Sequence, residues 1–154
     1  MVSRGRVESI NVSRGGVPKT SVSEALVTEQ GVDSDRQDNL RDHGGPDRAV
    51  SLFSLELIQA LQREGHPIGA GTSGENITLS GLDWPALTPG RELLVGPVRL
   101  VITNYAAPCE TIRQSFLDLR FVRISQKAHP GWSRLYTRVL TCGIVRPGDP
   151  VHVL

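Results

Sequence analysis

The sequence has no long apolar run, and only two of its 154 residues are cysteines. A helix that crosses a bilayer needs about 20 consecutive apolar residues, and the chain contains no such stretch. The N-terminal residues 1–12 include arginines but no apolar run behind them, unlike a secretory signal peptide. We therefore expect a cytoplasmic protein without a membrane segment, in which both cysteines stay reduced.

Disulfide frameworks, zinc motifs and an excess of one charge are also missing. Two cysteines do not make a disulfide framework, and no CxxC or HExxH spacing indicates a zinc site. The 17 basic and 16 acidic side chains leave a net charge of +1. This balance does not predict a nucleic acid or an anionic membrane as a partner.

Glycine and proline are abundant and divide the chain into short segments. The 16 glycines and 10 prolines cluster in stretches such as "GGVPK", "HGGPD", "HPGW" and "RPGDP". Short strands separated by such turns favour a β-barrel or a sandwich over a helical bundle. The length fits one domain over residues 1–154.

Strands are predicted for most of the short apolar segments. They are expected at residues 5–13, in "SEALVTEQGV", "AVSLF" and "GENITLSGL", in a hairpin around Gly96-Pro97, and in "RLYTRVLTCG" and "PVHVL". One α-helix is predicted for "LELIQALQRE", with Ser54 as its N-cap and Gly65 as its stop, and a short helix is expected after Cys109. Residues 33–48 are polar and aperiodic, which predicts a long loop of the kind that often carries function.

Cys109 follows a proline at the end of an apolar strand, in "TNYAAPCETI". A reactive thiol needs access to solvent and a helix N-terminus or cations nearby. The residues after Cys109 could begin a helix, and arginines and lysines recur in the glycine-rich loops. The alternative is a small buried hydrophobe, as most free cysteines are, and the segment alone leaves both readings open. Cys142 lies in the apolar strand "VLTCG" and is predicted to be buried and structural.

Four polar side chains, in turns, in the polar loop and in a strand, are candidates for contacting a ligand. Lys19 follows the turn "GGVPK" and could contact a phosphate, while His43 in the polar loop could face a ligand or be a bystander. Asn76 in "GENI" could hydrogen-bond a heterocycle or hold a loop together. Arg138 lies within a strand and, if buried, needs either an anionic ligand or a carboxylate from the polar loop.

The order of these motifs resembles the MOSC domain family, which is related to the C-terminal part of molybdenum cofactor sulfurase. The motifs are, in order, "GGVPK", "D-x-DRQ", "HGGPDRAV", "GENITLSGL", "G-x-x-L-x-x-G", "APC" and "YTRVLTCGIVRPGD". The resemblance implies a mainly β fold, a β-barrel with a few α-helices packed outside. It also implies that Cys109 is the sulfur-bearing residue, either as a ligand of molybdenum in a pterin cofactor or as the carrier of a persulfide.

The remaining site residues are predicted on the strength of this resemblance. The anionic phosphate and the polar pterin of the cofactor would be contacted by Lys19, Arg36, His43, Asn76 and Arg138. The pyridoxal-phosphate-dependent desulfurase domain of larger relatives is not represented in the chain, so pyridoxal phosphate is associated with the family only. Electrons or sulfur are therefore expected from a separate redox or desulfurase protein.

Two functions from different classes follow. In the first, the protein is a molybdenum-dependent oxidoreductase that reduces N-hydroxylated or related small substrates, with Cys109 as the catalytic metal ligand. In the second, the protein is a sulfur carrier that holds a persulfide on Cys109 without turnover of its own.

Overall fold

The computed structural model describes residues 5–35 and 45–154. Within these ranges the chain forms strands, one α-helix and several short 3-10 helices. The strands are β1 (Gly5–Val12), β2 (Thr20–Val22), β3 (Ala25–Thr28), β4 (Gly31–Val32), β5 (Val50–Ser54), β6 (Ile77–Ser80), β7 (Glu92–Val95), β8 (Val98–Ala106), β9 (Arg134–Thr141), β10 (Gly143–Val145) and β11 (Pro150–Val153). The α-helix α1 is Leu55–Arg63, and the 3-10 helices are Pro46–Arg48, Trp84–Ala86, Glu110–Ser115, Leu117–Leu119 and Phe121–Ile124.

Seven strands close into a barrel in the order β11-β7-β8-β9-β5-β6-β1. The closing contact is antiparallel pairing of β1 with β11, where Gly5 lies opposite Val151. Strand β2 extends the sheet beside β1, and β10, β3 and β4 form a separate three-stranded sheet. The predicted mainly β barrel with a few peripheral helices is therefore confirmed.

Helix α1 connects β5 to β6, the one parallel strand pair in the described part of the chain. Parallel neighbours require a crossover connection, and an amphipathic helix commonly provides it. Ser54 caps the helix by accepting a hydrogen bond from the backbone N of Leu57 at 3.2 Å, and Ile58 and Leu61 are buried. Gly65 has φ 101°, so both the predicted cap and the predicted stop are confirmed.

Alternation along β8 and β9 decides which side chains fill the barrel. The core takes Leu100 and Ile102 from β8 and Leu135 and Val139 from β9, all less than 5% exposed. Burying an aliphatic side chain of this size contributes about 1.5–3 kcal/mol relative to exposure. Because side chains of a strand alternate between its faces, the residues between them face outward.

The prediction that Cys142 is buried is wrong, because the structure places this thiol on the exposed surface. Cys142 lies between the end of β9 at Thr141 and the start of β10 at Gly143, and Leu140 and Thr141 before it are exposed as well, so the apolar segment does not continue into the core there. The segment after Cys109 also differs slightly from expectation, since it forms a 3-10 helix at Glu110–Ser115. No helix in the described ranges is long and apolar enough to cross a membrane.

Candidate functional site

Cys109 lies at the point where β8 has ended and the 3-10 helix Glu110–Ser115 begins. Its side chain is half-buried, and its backbone oxygen accepts a hydrogen bond from the backbone N of Ile112 at 3.1 Å. The helix is anchored by Ile112 and Ser115, both buried, and Ser115 donates to the Thr72 hydroxyl at 3.0 Å. Cys109 is therefore held on a fixed backbone and remains partly exposed to solvent.

Arg134 holds the loop that carries Cys109. It is the first residue of β9, lies opposite Ala106 of β8, and is only 8% exposed. Its Nη2 donates to the carbonyl oxygens of Ala106 and Ala107, each at 3.4 Å, and its Nη1 donates to that of Ser73 at 2.6 Å. One guanidinium thus joins the Cys109 loop to the turn that begins "GEN".

The charge of Arg134 has no carboxylate partner among the described residues. Its Nε is buried and makes no hydrogen bond within the same ranges. Burial lowers the pKa of Arg134, and the nearby Tyr136, Glu75 and Cys109 oppose that shift. The Cys109 sulfur therefore lies in the electrostatic field of a buried cation.

Glu75 contributes a second buried ionisable group close to Arg134. Its Oε1 accepts a hydrogen bond from the Ser73 hydroxyl at 3.1 Å, and its Oε2 accepts one from the Thr78 hydroxyl at 3.0 Å. Complete burial raises the pKa of Glu75, because removal from water penalises the charged carboxylate. Glu75 therefore retains its proton to higher pH than an exposed glutamate.

Asn76 uses its side-chain amide to hold loops together. Its Oδ1 accepts hydrogen bonds from the backbone N and the hydroxyl of Ser51 at 2.9 and 3.2 Å. Its Nδ2 donates to Asp35 Oδ2 at 2.9 Å. Through these contacts Asn76 holds loops together, which is one of the two roles that the sequence left open for it.

Lys19 and Arg138 each contact a carboxylate. Lys19 Nζ lies 2.7 Å from Asp35 Oδ1, and the two side chains are only 8% and 4% exposed. Arg138 donates from Nε to Asp47 Oδ1 at 2.7 Å, with both side chains about half exposed or more. Asp47 belongs to the polar loop, and a carboxylate from this loop was one of the two partners considered for Arg138.

Three of the sequence motifs converge beside Arg134. A Cβ built on Gly74 of the "GEN" turn would lie 3.1 Å from Val17 of "GGVPK" and 4.0 Å from Arg134 Nη1. The backbone N of Lys19 also donates to the Gly71 oxygen at 3.0 Å. Gly74 itself has φ 89°, a conformation that glycine adopts without strain. The "PC" segment joins this group through the contacts of Arg134 with Ala106 and Ala107.

Not every predicted site residue lies in this group. Arg138 is four residues along β9 from Arg134, which corresponds to about 13 Å in an extended strand. Arg36 and His43 lie outside the described residues. Arg134 was not predicted as a site residue, although the alternation in "RLYTRVLTCG" places it on the same strand face as Tyr136 and Arg138.

The described residues fit a metal cofactor that takes one ligand from the protein, the Cys109 thiolate. In the described ranges no three His, Cys, Asp or Glu side chains are grouped to hold a metal ion. A metal bound by the soft thiolate of Cys109 would therefore need its other ligands from its own cofactor. The guanidinium carbon of Arg48 lies 5.2 Å from the centre of the ring of Tyr136, which is two residues along β9 from Arg134.

Comparison with models of known protein families shows which family the chain belongs to. The sequence model of the MOSC domain matches residues 39–152. The chain belongs to the MOSC domain family. The segment that matches this family includes the "GEN" turn, Cys109 and Arg134, so the converging residues lie inside the MOSC domain.

Several other proteins are similar to this MOSC domain over nearly all of its length. The chain is 25% identical over 144 residues to the uncharacterized protein YflK of Bacillus subtilis (strain 168), covering 93% of this chain and 64% of YflK. It thus spans less than two thirds of that relative. The crystal structure of YiiM from Geobacillus stearothermophilus is similar with 26% identity and a TM-score of 0.71, covering 97% of this chain and 75% of YiiM. The YuaD protein of Bacillus subtilis, at 18% identity and a TM-score of 0.74, shares the fold over 99% of this chain and 98% of its own.

Proposed function

We propose that this MOSC domain binds a molybdenum-pterin cofactor through Cys109 and reduces N-hydroxylated or related small substrates. The observation that supports this most directly is the half-buried thiol of Cys109, held at the end of β8 beside the buried guanidinium of Arg134. A thiolate is a soft ligand suited to a metal centre of this kind. Electrons would come from a separate redox protein, in a reducing cytoplasm where thiols persist.

The chain's own residues have defined tasks in this proposal. Molybdenum, when bound, supplies the electron-transfer chemistry that protein side chains lack. Cys109 provides the ligand sulfur, and Arg134 fixes the position of that sulfur through the carbonyls of Ala106 and Ala107. Lys19 and Arg138 would contact the anionic parts of the cofactor only by leaving Asp35 and Asp47.

Those two ion pairs favour a second candidate function, in which Cys109 carries a persulfide. Because Lys19 and Arg138 are already neutralised, less positive charge is free for a phosphate than the sequence suggests. A persulfide needs only the thiolate and a cation nearby, and Arg134 supplies that cation. The Cys109 thiolate would attack the terminal sulfur of a desulfurase persulfide, forming a new S–S bond and releasing the desulfurase thiolate.

Metal and mass analysis distinguishes the two functions. We would produce the protein in cells that make the cofactor, then measure bound molybdenum and pterin fluorescence in wild type, Cys109→Ser and Cys142→Ser. Stoichiometric metal that is lost only in Cys109→Ser supports the oxidoreductase. Metal-free protein whose Cys109 gains about 32 Da with a cysteine desulfurase and cysteine supports the carrier. If neither signal appears, both proposals fail.

A further inference from the structure

A cleft beside the end of helix α1 takes no part in the proposed function. Its volume is about 430 Å³, which lies within the range of small-ligand sites. Leu117 and Asp118 form one part of its wall, and His66 forms another. We name the 3-10 segment Leu117–Leu119 the leucine turn. The shape of the cleft therefore depends on what holds the leucine turn in place.

The leucine turn is weakly held. Leu117 and Leu119 are 51% and 48% exposed, so their burial contributes little. Asp118 and Leu119 have φ values of 54° and 60°, a conformation that is strained for residues other than glycine. Within the part of the chain that the structure describes, one hydrogen bond ties the turn to a distant segment. In that bond the backbone N of Leu117 donates to Nδ1 of His66 at 3.0 Å.

This hydrogen bond requires an uncharged His66 ring. A backbone N–H can only donate, so Nδ1 accepts and carries no proton. The proton of the neutral ring is then on Nε2, which lies 3.5 Å from Glu64 Oε1. A second proton would go to Nδ1 and place two donors opposite each other at 3.0 Å. Protonation of His66 therefore removes the bond that holds the leucine turn.

The surroundings of His66 keep the charged ring in place, so the turn is the part that moves. The Glu64 carboxylate attracts the charged ring, and the buried ring of Phe116 packs against it at a centroid distance of 5.5 Å. Hydrogen bonding to Arg123 lowers the pKa of Glu64, so Glu64 stays charged as His66 titrates. The other ionisable groups that line the cleft are Asp118, Arg120 and His129.

We propose that His66 is a pH-dependent switch, which holds the leucine turn when the ring is neutral and releases it when the ring is protonated. Histidine is the side chain that changes its charge between about pH 5 and 8. Because the contact needs the neutral ring, it is complete at the upper end of this range and is lost as pH falls. The change ends at Phe116, which is buried, so the proposal is independent of cofactor binding at Cys109.

Amide hydrogen exchange followed by NMR tests the contact at the Leu117 N–H. The exchange rate is compared with that of an unstructured peptide at the same pH, which removes the intrinsic pH dependence of exchange. In wild type, the protection of this amide should fall about threefold to tenfold between about pH 7.5 and 5.5, the effect of losing one hydrogen bond. His66→Asn keeps an acceptor near the place of Nδ1 but does not titrate, so its protection should stay constant. His129→Gln is the matched control, because His129 lines the same cleft, and it should behave like wild type.

Two results of this experiment overturn the proposal. One is protection in wild type that does not change with pH, and the other is a fall that persists in His66→Asn. Nitrogen-15 NMR of the imidazole rings gives a second measurement, which needs no variant and decides the matter if circular dichroism shows that His66→Asn does not fold. At about pH 8 the His66 proton should be on Nε2. A proton on Nδ1 would show that the Leu117 N–H does not bond there, which also overturns the proposal.

Discussion

Replacing Lys19 with methionine should destabilise the protein, because it would leave the Asp35 carboxylate buried without its counter-charge. The ammonium and the carboxylate oxygen are 2.7 Å apart, and both side chains are more than 90% removed from solvent. Methionine keeps most of the carbon chain of lysine, so packing changes little. The variant therefore isolates the electrostatic part of this contact.

The expected magnitude follows from what remains around Asp35. Breaking a buried ion pair by removing one partner costs about 3–5 kcal/mol. Asp35 would still accept hydrogen bonds from the backbone N of Ser13 and from Asn76 Nδ2, each at 2.9 Å. Because neutral donors partly compensate a buried carboxylate, we expect a loss near the lower end, about 3 kcal/mol. In a domain of this size such a loss lowers Tm by about 6–12 °C.

Urea denaturation followed by circular dichroism would measure this loss. Asp35→Asn should cost a similar amount, since it leaves the Lys19 charge buried and unpaired. In Lys19→Met/Asp35→Asn both charges are gone, so the combined loss should fall short of the sum by about 2 kcal/mol or more. A loss below about 1 kcal/mol for Lys19→Met would refute the reasoning, because exposed pairs are worth no more than that.

Three further predictions concern single buried groups. The pKa of Glu75 is raised from 4.5, so the stability that this group contributes is complete below pH 4.5 and is lost as pH rises through the folded-state pKa. Over that pH range wild type should lose stability relative to Glu75→Gln, by about 1.4 kcal/mol for each unit by which the pKa is raised. Urea unfolding curves that do not differ between the two proteins at any pH would contradict this. Arg134→Met deprives three carbonyls of a donor and should cost about 2–4 kcal/mol in urea denaturation, whereas Arg138→Met, on the exposed face, should cost under about 1 kcal/mol. Gly71→Ala and Gly148→Ala both place an alanine at a positive φ, which is strained. Of the two, only Gly71→Ala would put the new Cβ 2.6 Å from a backbone oxygen, so it should have the lower Tm. Matching Tm values would argue against that close approach.

Local signals were sufficient for several elements of the fold. The cap at Ser54, the stop at Gly65 and the apolar stripe between them lie within one segment, so the helix could be read from neighbouring residues. The hairpin β7–β8 has its turn at Gly96-Pro97 for the same reason. Strands of two or three residues carry too few side chains to show a period, so β2 and β10 were not predicted and β4 was predicted as part of one strand with β3.

The partners of the polar side chains could not be predicted in the same way. Asp35 is 16 residues from Lys19 and 41 from Asn76, and only the folded chain places all three together. The hydrogen bonds of Asn76 to Ser51 and Asp35, 25 and 41 residues away along the chain, could likewise not be predicted from its own segment. Residue type specifies which bonds a side chain is able to make, while long-range packing determines which partner it meets.

The sequence by itself determined that this chain is a turn-rich β protein with a MOSC motif order and a cysteine directly after a strand end. These properties depend on residue type and spacing, which the unfolded chain already has. Closure of the barrel decided the rest. Folding buried Arg134 against the carbonyls of Ala106 and Ala107, paired Lys19 with Asp35, and left Cys142 exposed. Which face of a strand points inward depends on its register with distant neighbours, and that register exists only after the strands have paired.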